Sequence, residues 1–224
     1  LTSYHEHNKA EKGPQLIEKL QDGQMIALVS DAGMPAICDP GSDMVRLALE
    51  ADIPIVPLPG ANAGLTGLIA SGMDTTRFTF VGFLPKTQKH RLPALQSVEA
   101  YEGTLIFYEA PHRIRQVLGE MQEVLGDRRA VLCRELTKRY EQYLHGRLSE
   151  LQTALSEQGT RGEFVILVEG MTKTAEEADP ENVDYAALVR ELMEQGVDKK
   201  EAVRTVARRC GVPKRSVYQA ALSL

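Results

Sequence analysis

Cysteine is scarce in this chain: Cys38, Cys133 and Cys210 are the three among 224 residues. Their odd number and wide spacing exclude a disulfide framework and a thiolate metal centre, and imply reduced thiols. Five histidines add no case for a metal; His5 and His7 are neighbours, but no second ligand cluster accompanies them. No apolar run approaches the roughly 20 residues that span a bilayer, and no signal-peptide pattern opens the sequence. A cytoplasmic location with no membrane partner is therefore expected. Internal repeats and low-complexity tracts are absent as well. A net charge of −5 excludes a general polyanion binder. What is present is ordinary globular usage, 43% apolar and 25% charged. The length allows one large domain or two modest ones, with an ample core.

The most informative stretch is Val29-Ser30-Asp31-Ala32-Gly33-Met34-Pro35-Ala36-Ile37-Cys38-Asp39-Pro40-Gly41, directly after the apolar run Met25 to Val29. Its pattern predicts a buried strand ending in a loop of small and turn-forming residues. Open α/β sheets bind ligands at such strand ends. Gly33 and Gly41 allow close backbone approach, Pro35 and Pro40 stiffen the loop, and Asp31 and Asp39 offer acceptors to amines or hydroxyls. Met44, Val45, Leu47, Ala48 and Leu49 then resume helical spacing. An ordinary strand–turn–helix connection would share these features. A second unit repeats the arrangement. Ile53 to Leu58 reads as a short strand, with Pro54 and Pro57 marking an end or an edge. Pro59-Gly60-Ala61-Asn62-Ala63-Gly64 follows it, and then the helix Leu65–Ala70. A βαβ unit of this kind has parallel strands and a right-handed crossover, so both loops are expected on one sheet edge, cradling a nucleoside-like ligand.

Further along, Asp74-Thr75-Thr76-Arg77 reads as a linker. Strands are predicted at Phe78–Gly82, Thr104–Tyr108, Ala130–Arg134, Tyr140–His145 and Phe164–Val168, the third and fourth forming a hairpin. A helix near Gln15–Gln21 precedes the first loop unit, and others are predicted at Gln88–Ala100, Ile114–Leu125 and Leu148–Glu157. Met171–Asn182 is polar, acidic and holds Pro180, a linker composition. Three short helices follow, at Tyr185–Gln195, Lys199–Cys210 and Lys214–Leu222. Asp198 suits the N-cap of the second, Gly211 its end and Pro213 the start of the third. From Asp184 onward eight basic residues face five acidic ones, so this tail carries +3 and the remainder −8. A helix-turn-helix whose second helix opens Lys214-Arg215-Ser216 suits nucleic acid, although packing modules share the shape.

Several motifs together resemble the tetrapyrrole (corrin/porphyrin) methylase superfamily. They are Ser30-Asp31-Ala32-Gly33-x-Pro35 with Asp39-Pro40-Gly41, and Pro57-Leu58-Pro59-Gly60. Tyr4-His5-Glu6-His7-Asn8, Gly82-Phe83-Leu84-Pro85 and Phe107-Tyr108-Glu109-Ala110-Pro111-His112-Arg113 agree in order. So do Arg134-Glu135-Leu136-Thr137-Lys138 and Gly162-Glu163-Phe164 leading into Val168-Glu169-Gly170. Within the superfamily the match is to the branch that 2′-O-methylates a cytidine of 16S ribosomal RNA. The resemblance implies an α/β fold of two α/β domains with a cofactor cleft between them, plus a small C-terminal helix-turn-helix-like module. The corresponding boundaries are 1–74, 75–171, a linker at 172–183, and 184–224. It also implies S-adenosylmethionine as cofactor, 16S rRNA in the small ribosomal subunit as partner, and a homodimer. Family members begin with a strand and a glycine-containing loop upstream of Leu1, so the sequence reads as an N-terminally shortened member.

By position, Ser30, Asp31, Ala32, Gly33 and Pro35 in one loop and Pro59, Gly60, Ala61, Asn62 and Ala63 in the other match the cofactor-contacting segments, and Tyr108 joins them. Methyl transfer to a ribose hydroxyl requires alignment and removal of a proton. Glu109 and Lys138 are the candidate catalytic residues, although Glu109 suits a helix cap slightly better, and Arg134, Glu135 and Lys138 equally suit a structural ion-pair cluster. Lys86, Lys89 and Arg91, in a basic and mobile loop, are candidate RNA contacts with Arg113, Lys214 and Arg215. No metal is expected. The alternatives are a small-molecule tetrapyrrole methyltransferase, disfavoured by the Glu109–Arg113 motif and the basic segments, and an inactive RNA-binding fragment.

Overall fold

Alternating side chains sort onto the two faces of a mixed sheet. The computed structural model describes residues 1–171, 185–194, 196–210 and 212–222, without the side chains of 208 and 209. Its strands are Phe78–Phe83 (β1), Thr104–Glu109 (β2), Arg129–Arg134 (β3), Gln142–Arg147 (β4) and Phe164–Val168 (β5), and they lie in the order β1-β2-β5-β3-β4. β1 and β2 run parallel, and the other neighbours are antiparallel. Period-two alternation sends Leu105, Phe107, Leu132, Phe164 and Ile166 to one face. Ile106, Val131, Cys133, Val165 and Leu167 go to the other.

The helices follow from where those faces need cover. Lys9–Gln21 (α1), Ser42–Glu50 (α2) and Ala63–Ser71 (α3) precede the sheet. Gln88–Gln96 (α4), Ile114–Leu125 (α5) and Leu148–Gln158 (α6) are interleaved with its strands. Leu95 of α4, Val117, Leu118 and Met121 of α5, and Leu151 of α6 close one core. α3 covers the opposite face, where Leu68 is buried and Gly67 comes so close that a Cβ would sit 3.2 Å from Cys133 Sγ. Burial pushes the Cys133 thiol up to about 12, so it stays protonated and inert.

Two expectations are corrected here. Neither Met25–Val29 nor Ile53–Leu58 forms a strand, and the βαβ unit between them is not built. Apolar, β-prone sequence favours extended backbone, but a strand exists only where a neighbour takes its N–H and C=O groups. Among the described residues no other strand pairs with these runs, the Ile53 N–H going instead to the Ala48 carbonyl of the preceding helix at 2.9 Å, and Met25 is left 98% and Leu58 78% exposed. The helices on either side form regardless, α1 starting earlier than expected, at Lys9, because helical hydrogen bonds are local. Conversely, α4 ends at Gln96 rather than Ala100.

The N-terminal segment is tied to α2 by Tyr4, whose hydroxyl donates to Asp43 Oδ2 at 2.7 Å. Burial first, and then that carboxylate, raises the Tyr4 phenol from 10.0 to about 12. A folded pKa above the unfolded one means the contribution to stability is complete below 10.0 and is lost as pH rises toward about 12. Denaturant melts of the wild-type chain should therefore lose more stability across that alkaline window than those of Tyr4→Phe. Equal slopes would show that Tyr4 is not protected.

Residues Leu1–Met171 make one compact unit and Thr172–Leu224 a second. In the second, Tyr185–Glu194 (α7), Lys199–Arg209 (α8) and Lys214–Ala220 (α9) pack around Val189, Val203, Val206 and Val217. Asp198 caps α8 by accepting from the Lys200 N–H at 3.2 Å, as its N-cap position predicts. Gly211 and the linker expected at 172–183 lie outside the described residues. Among those described, no helix is long and apolar enough to cross a membrane.

Candidate functional site

The two small-residue loops meet even though no strand leads into either. Gly33 has φ +75°, and a Cβ there would lie 3.2 Å from the Ala61 carbonyl oxygen. A Cβ on Gly60 would lie 3.3 Å from Met34 Cγ. Ser30 Oγ cinches the first loop, donating to the Ala32 and Gly33 carbonyls at 3.2 and 3.1 Å. Asn62 caps α3 by accepting from the Leu65 N–H at 3.0 Å.

A cavity of about 1000 Å³ opens around this contact. Its lining includes Gln24–Val29, Ser30–Gly33, Ile37–Pro40 and Ala61–Ala63, together with Phe83, Tyr108, Leu136–Lys138 and Glu163. Tyr108 ties the two together. Its hydroxyl oxygen accepts from the Gly64 N–H at 2.9 Å, which leaves the hydroxyl proton free to donate. Its ring packs edge-on against Phe80 and Phe83, with centroids 5.0 and 5.7 Å away. Burial raises the Tyr108 phenol, so it is a donor and not a base. Gly82, at φ +71°, leaves room for Cys38, whose Sγ would stand 2.9 Å from a Cβ there. Burial also raises the Cys38 thiol, against the Phe83 N–H that favours its thiolate.

Backbone strain gathers at the same place. Among the described residues five other than glycine have positive φ, and four of them, Ala36, Cys38, Glu135 and Thr137, lie in the two loops walling the cavity. Such conformations each cost of order 1–3 kcal/mol and persist where surroundings over-determine them. For Glu135 those surroundings are clear. Its N–H donates to the Glu163 carbonyl at 3.0 Å, and its Oε1 accepts from the Glu163 N–H at 2.9 Å and from Lys138 Nζ at 3.1 Å. Lys138 Nζ also reaches Glu163 Oε2 at 2.9 Å. The two carboxylates, Glu163 first, hold the Lys138 ammonium protonated beyond its ordinary range.

The remaining expected site residues fall elsewhere. Pro35, Pro59 and Gly60 support the loops without lining the cavity. Glu109 is buried and does not face it. Its carboxylate takes Arg113 Nε at 2.8 Å and Nη2 at 2.9 Å, and also the Ala110 N–H at 2.7 Å. It therefore braces Arg113 instead of capping α5, which starts only at Ile114. Arg91 is 2% exposed and pairs with Glu120. Of that basic loop only Lys86 and Lys89 present exposed cations, and Lys214 and Arg215 do so on the second unit. Cys38, Phe83, Thr137 and Glu163 were not singled out as walls from sequence. The glycines beside Phe83 and Glu163 were the available signal. Among the described residues no three His, Cys, Asp or Glu side chains stand close enough to hold a metal ion.

The family model described as Tetrapyrrole (Corrin/Porphyrin) Methylases matches residues 2–152, and the RsmI C-terminal HTH domain matches 179–224. Ribosomal RNA small subunit methyltransferase I of Halalkalibacterium halodurans is 47% identical over 223 residues, covering 97% of this chain and 76% of its own. The protein of that name from Bacillus subtilis is 45% identical over 225 residues, covering 98% and 76%. Two solved methyltransferases share the fold. Cobalt precorrin-4 methyltransferase, a cobalamin biosynthetic enzyme, has TM-score 0.53 and 17% identity over 71% of this chain and 70% of its own. The methyltransferase CobJ has TM-score 0.55 and 20% identity over 72% and 71%.

Proposed function

The chain belongs to the tetrapyrrole methylase family, and from that premise we propose that its substrate is the ribose 2′-hydroxyl of a cytidine in 16S ribosomal RNA of the small subunit. It is an S-adenosylmethionine-dependent methyltransferase. The residues present suit that cofactor. A cavity of about 1000 Å³ is roomy enough for it, and Gly33 and Ala61, whose backbones approach closely, both line it. Ser30, Asp31, Ala32, Gly33, Ala61, Asn62, Ala63 and Tyr108 hold the cofactor in this reading. Asp31 and Asp39 accept from its hydroxyls and amine, and Tyr108 donates its free hydroxyl proton. Bound there, the cofactor supplies a methyl group on a positively charged sulfur, which leaves as a neutral thioether.

The observation that carries the reading is the placement of Lys138 on the rim of that cavity. Because it is held protonated, Lys138 serves as a cation and not as a proton acceptor. It donates to the attacking ribose oxygen and offsets the charge that develops as the hydroxyl proton passes to water. Glu109, spent on Arg113, takes no part in proton removal. Lys86 and Lys89 on the first unit, and Lys214 and Arg215 on the second, meet RNA phosphates. The substrate places the protein in the cytoplasm. The homodimer belongs to the same reading, and sedimentation at assay concentration tests it.

Labelled methyl transfer to undermethylated 30S particles is the test. Label should appear on a cytidine ribose of 16S rRNA and not on uroporphyrinogen. Label on a nucleobase, or on the tetrapyrrole alone, overturns the proposal. Lys138→Ala should lower the turnover rate about a hundredfold, the size typical of one preorganised donor, with cofactor affinity unchanged. Undiminished turnover would remove Lys138 from the reaction.

A further inference from the structure

Three consecutive backbone carbonyls, those of Leu84, Pro85 and Lys86, are each taken by an arginine outside the cavity. Arg113 Nη2 donates to Leu84 O at 3.1 Å. Arg91 Nη1 donates to Pro85 O at 3.2 Å and to Lys86 O at 2.9 Å. Each guanidinium is steadied by its own buried carboxylate, Arg113 by Glu109 and Arg91 by Glu120, the latter with Nη2 to Oε1 at 2.7 Å. Gln116 adds a donor to Glu120 at 3.0 Å. Ordinary loops leave such carbonyls to water. Here two ion pairs bind them, and the segment between Phe83, which walls the cavity, and Lys86, which faces solvent, is clamped.

We propose that Arg91 and Glu120 are positioning residues for methyl transfer: through the clamped Leu84–Lys86 segment they set the Phe83 wall of the cofactor cavity and aim Lys86 at the RNA. This rests on the cofactor and substrate reading above. It replaces the mobile loop expected here with a pre-set one, and it moves Arg91 from RNA contact to scaffold. Neither side chain lines the cavity. Arginine is required because its planar fork serves a carboxylate and two carbonyls at once, whereas lysine offers a single point charge.

The test is the double variant Arg91→Met/Glu120→Leu, which removes both charges together and leaves neither buried partner orphaned. Its circular dichroism and Tm should stay near wild type. Trypsin cleavage after Lys86 should become about tenfold faster, and the Kd for S-adenosylmethionine about tenfold weaker, with Arg91→Lys intermediate in both. A double variant with wild-type Kd overturns the proposal, whether or not the loop has loosened. Loss of the fold in both variants also overturns it, since the pair is then purely structural. If the wild-type chain itself binds no S-adenosylmethionine, the cofactor reading fails first, and wild-type titration alone shows this.

Discussion

Glu109→Ala should lower the stability of the first unit by about 3–5 kcal/mol, the usual cost of removing one member of a buried ion pair. Glu109 is 2% exposed and is bidentate to Arg113. Truncation leaves the guanidinium buried without its anion, and among the described residues Arg113 Nη1 already has no hydrogen-bond partner. The Ala110 N–H loses its acceptor as well. For a unit of this size the Tm should fall by about 10 °C, a large fraction of the marginal stability of a folded domain. A catalytic carboxylate would behave differently: Glu109→Gln would leave the Tm in place and remove turnover. Thermal melts of both variants beside single-turnover rates separate the two roles. A stable but inactive Glu109→Gln would return Glu109 to the chemistry.

Gly33→Val should raise the Kd for S-adenosylmethionine by about a hundredfold, equivalent to roughly 2.7 kcal/mol. Two penalties combine at this residue. Its φ of +75° is one that a β-branched side chain adopts only under strain. A Cβ there also meets the Ala61 carbonyl at 3.2 Å, pushing apart the loops that form the cavity floor. The loop is exposed and outside the sheet, so the Tm should change little. Calorimetric titration compared with Gly33→Ala checks this, since alanine carries the same Cβ contact with a milder backbone penalty. Unchanged affinity in the valine variant would place the cofactor elsewhere.

The contrast between Glu109 and Gly33 shows what kinds of residue declare themselves in a sequence. Gly33 was legible because a glycine in a loop of small residues has a local reason to be there. Lys138 was legible as an acid–base or ion-pair residue, and its neighbours Glu135 and Glu163 hold it protonated. Arg91 misled because a charged side chain beside a polar loop looks solvated, and Glu109 because a carboxylate at a strand end looks available to a ligand, whereas burial is set by elements distant in the chain. Glu120 lies on α5, far in sequence from Arg91. The runs Met25–Val29 and Ile53–Leu58 misled in the opposite sense. Their apolar pattern is genuine, but pairing is a relation between segments.

By itself the sequence determined what local physics controls. Helical spacing set α2, α3, α5 and α6, short apolar runs between turn-forming segments set the five strands, and small-residue loops marked where backbones can approach closely. The family motifs named the methyl donor. Only the tertiary structure decided which strands find partners, which charges are paired away from water, and which side chains wall the cavity. Hydrogen-bond partners, burial and electrostatic environment are all supplied by residues remote in the chain, so no window along the sequence contains them.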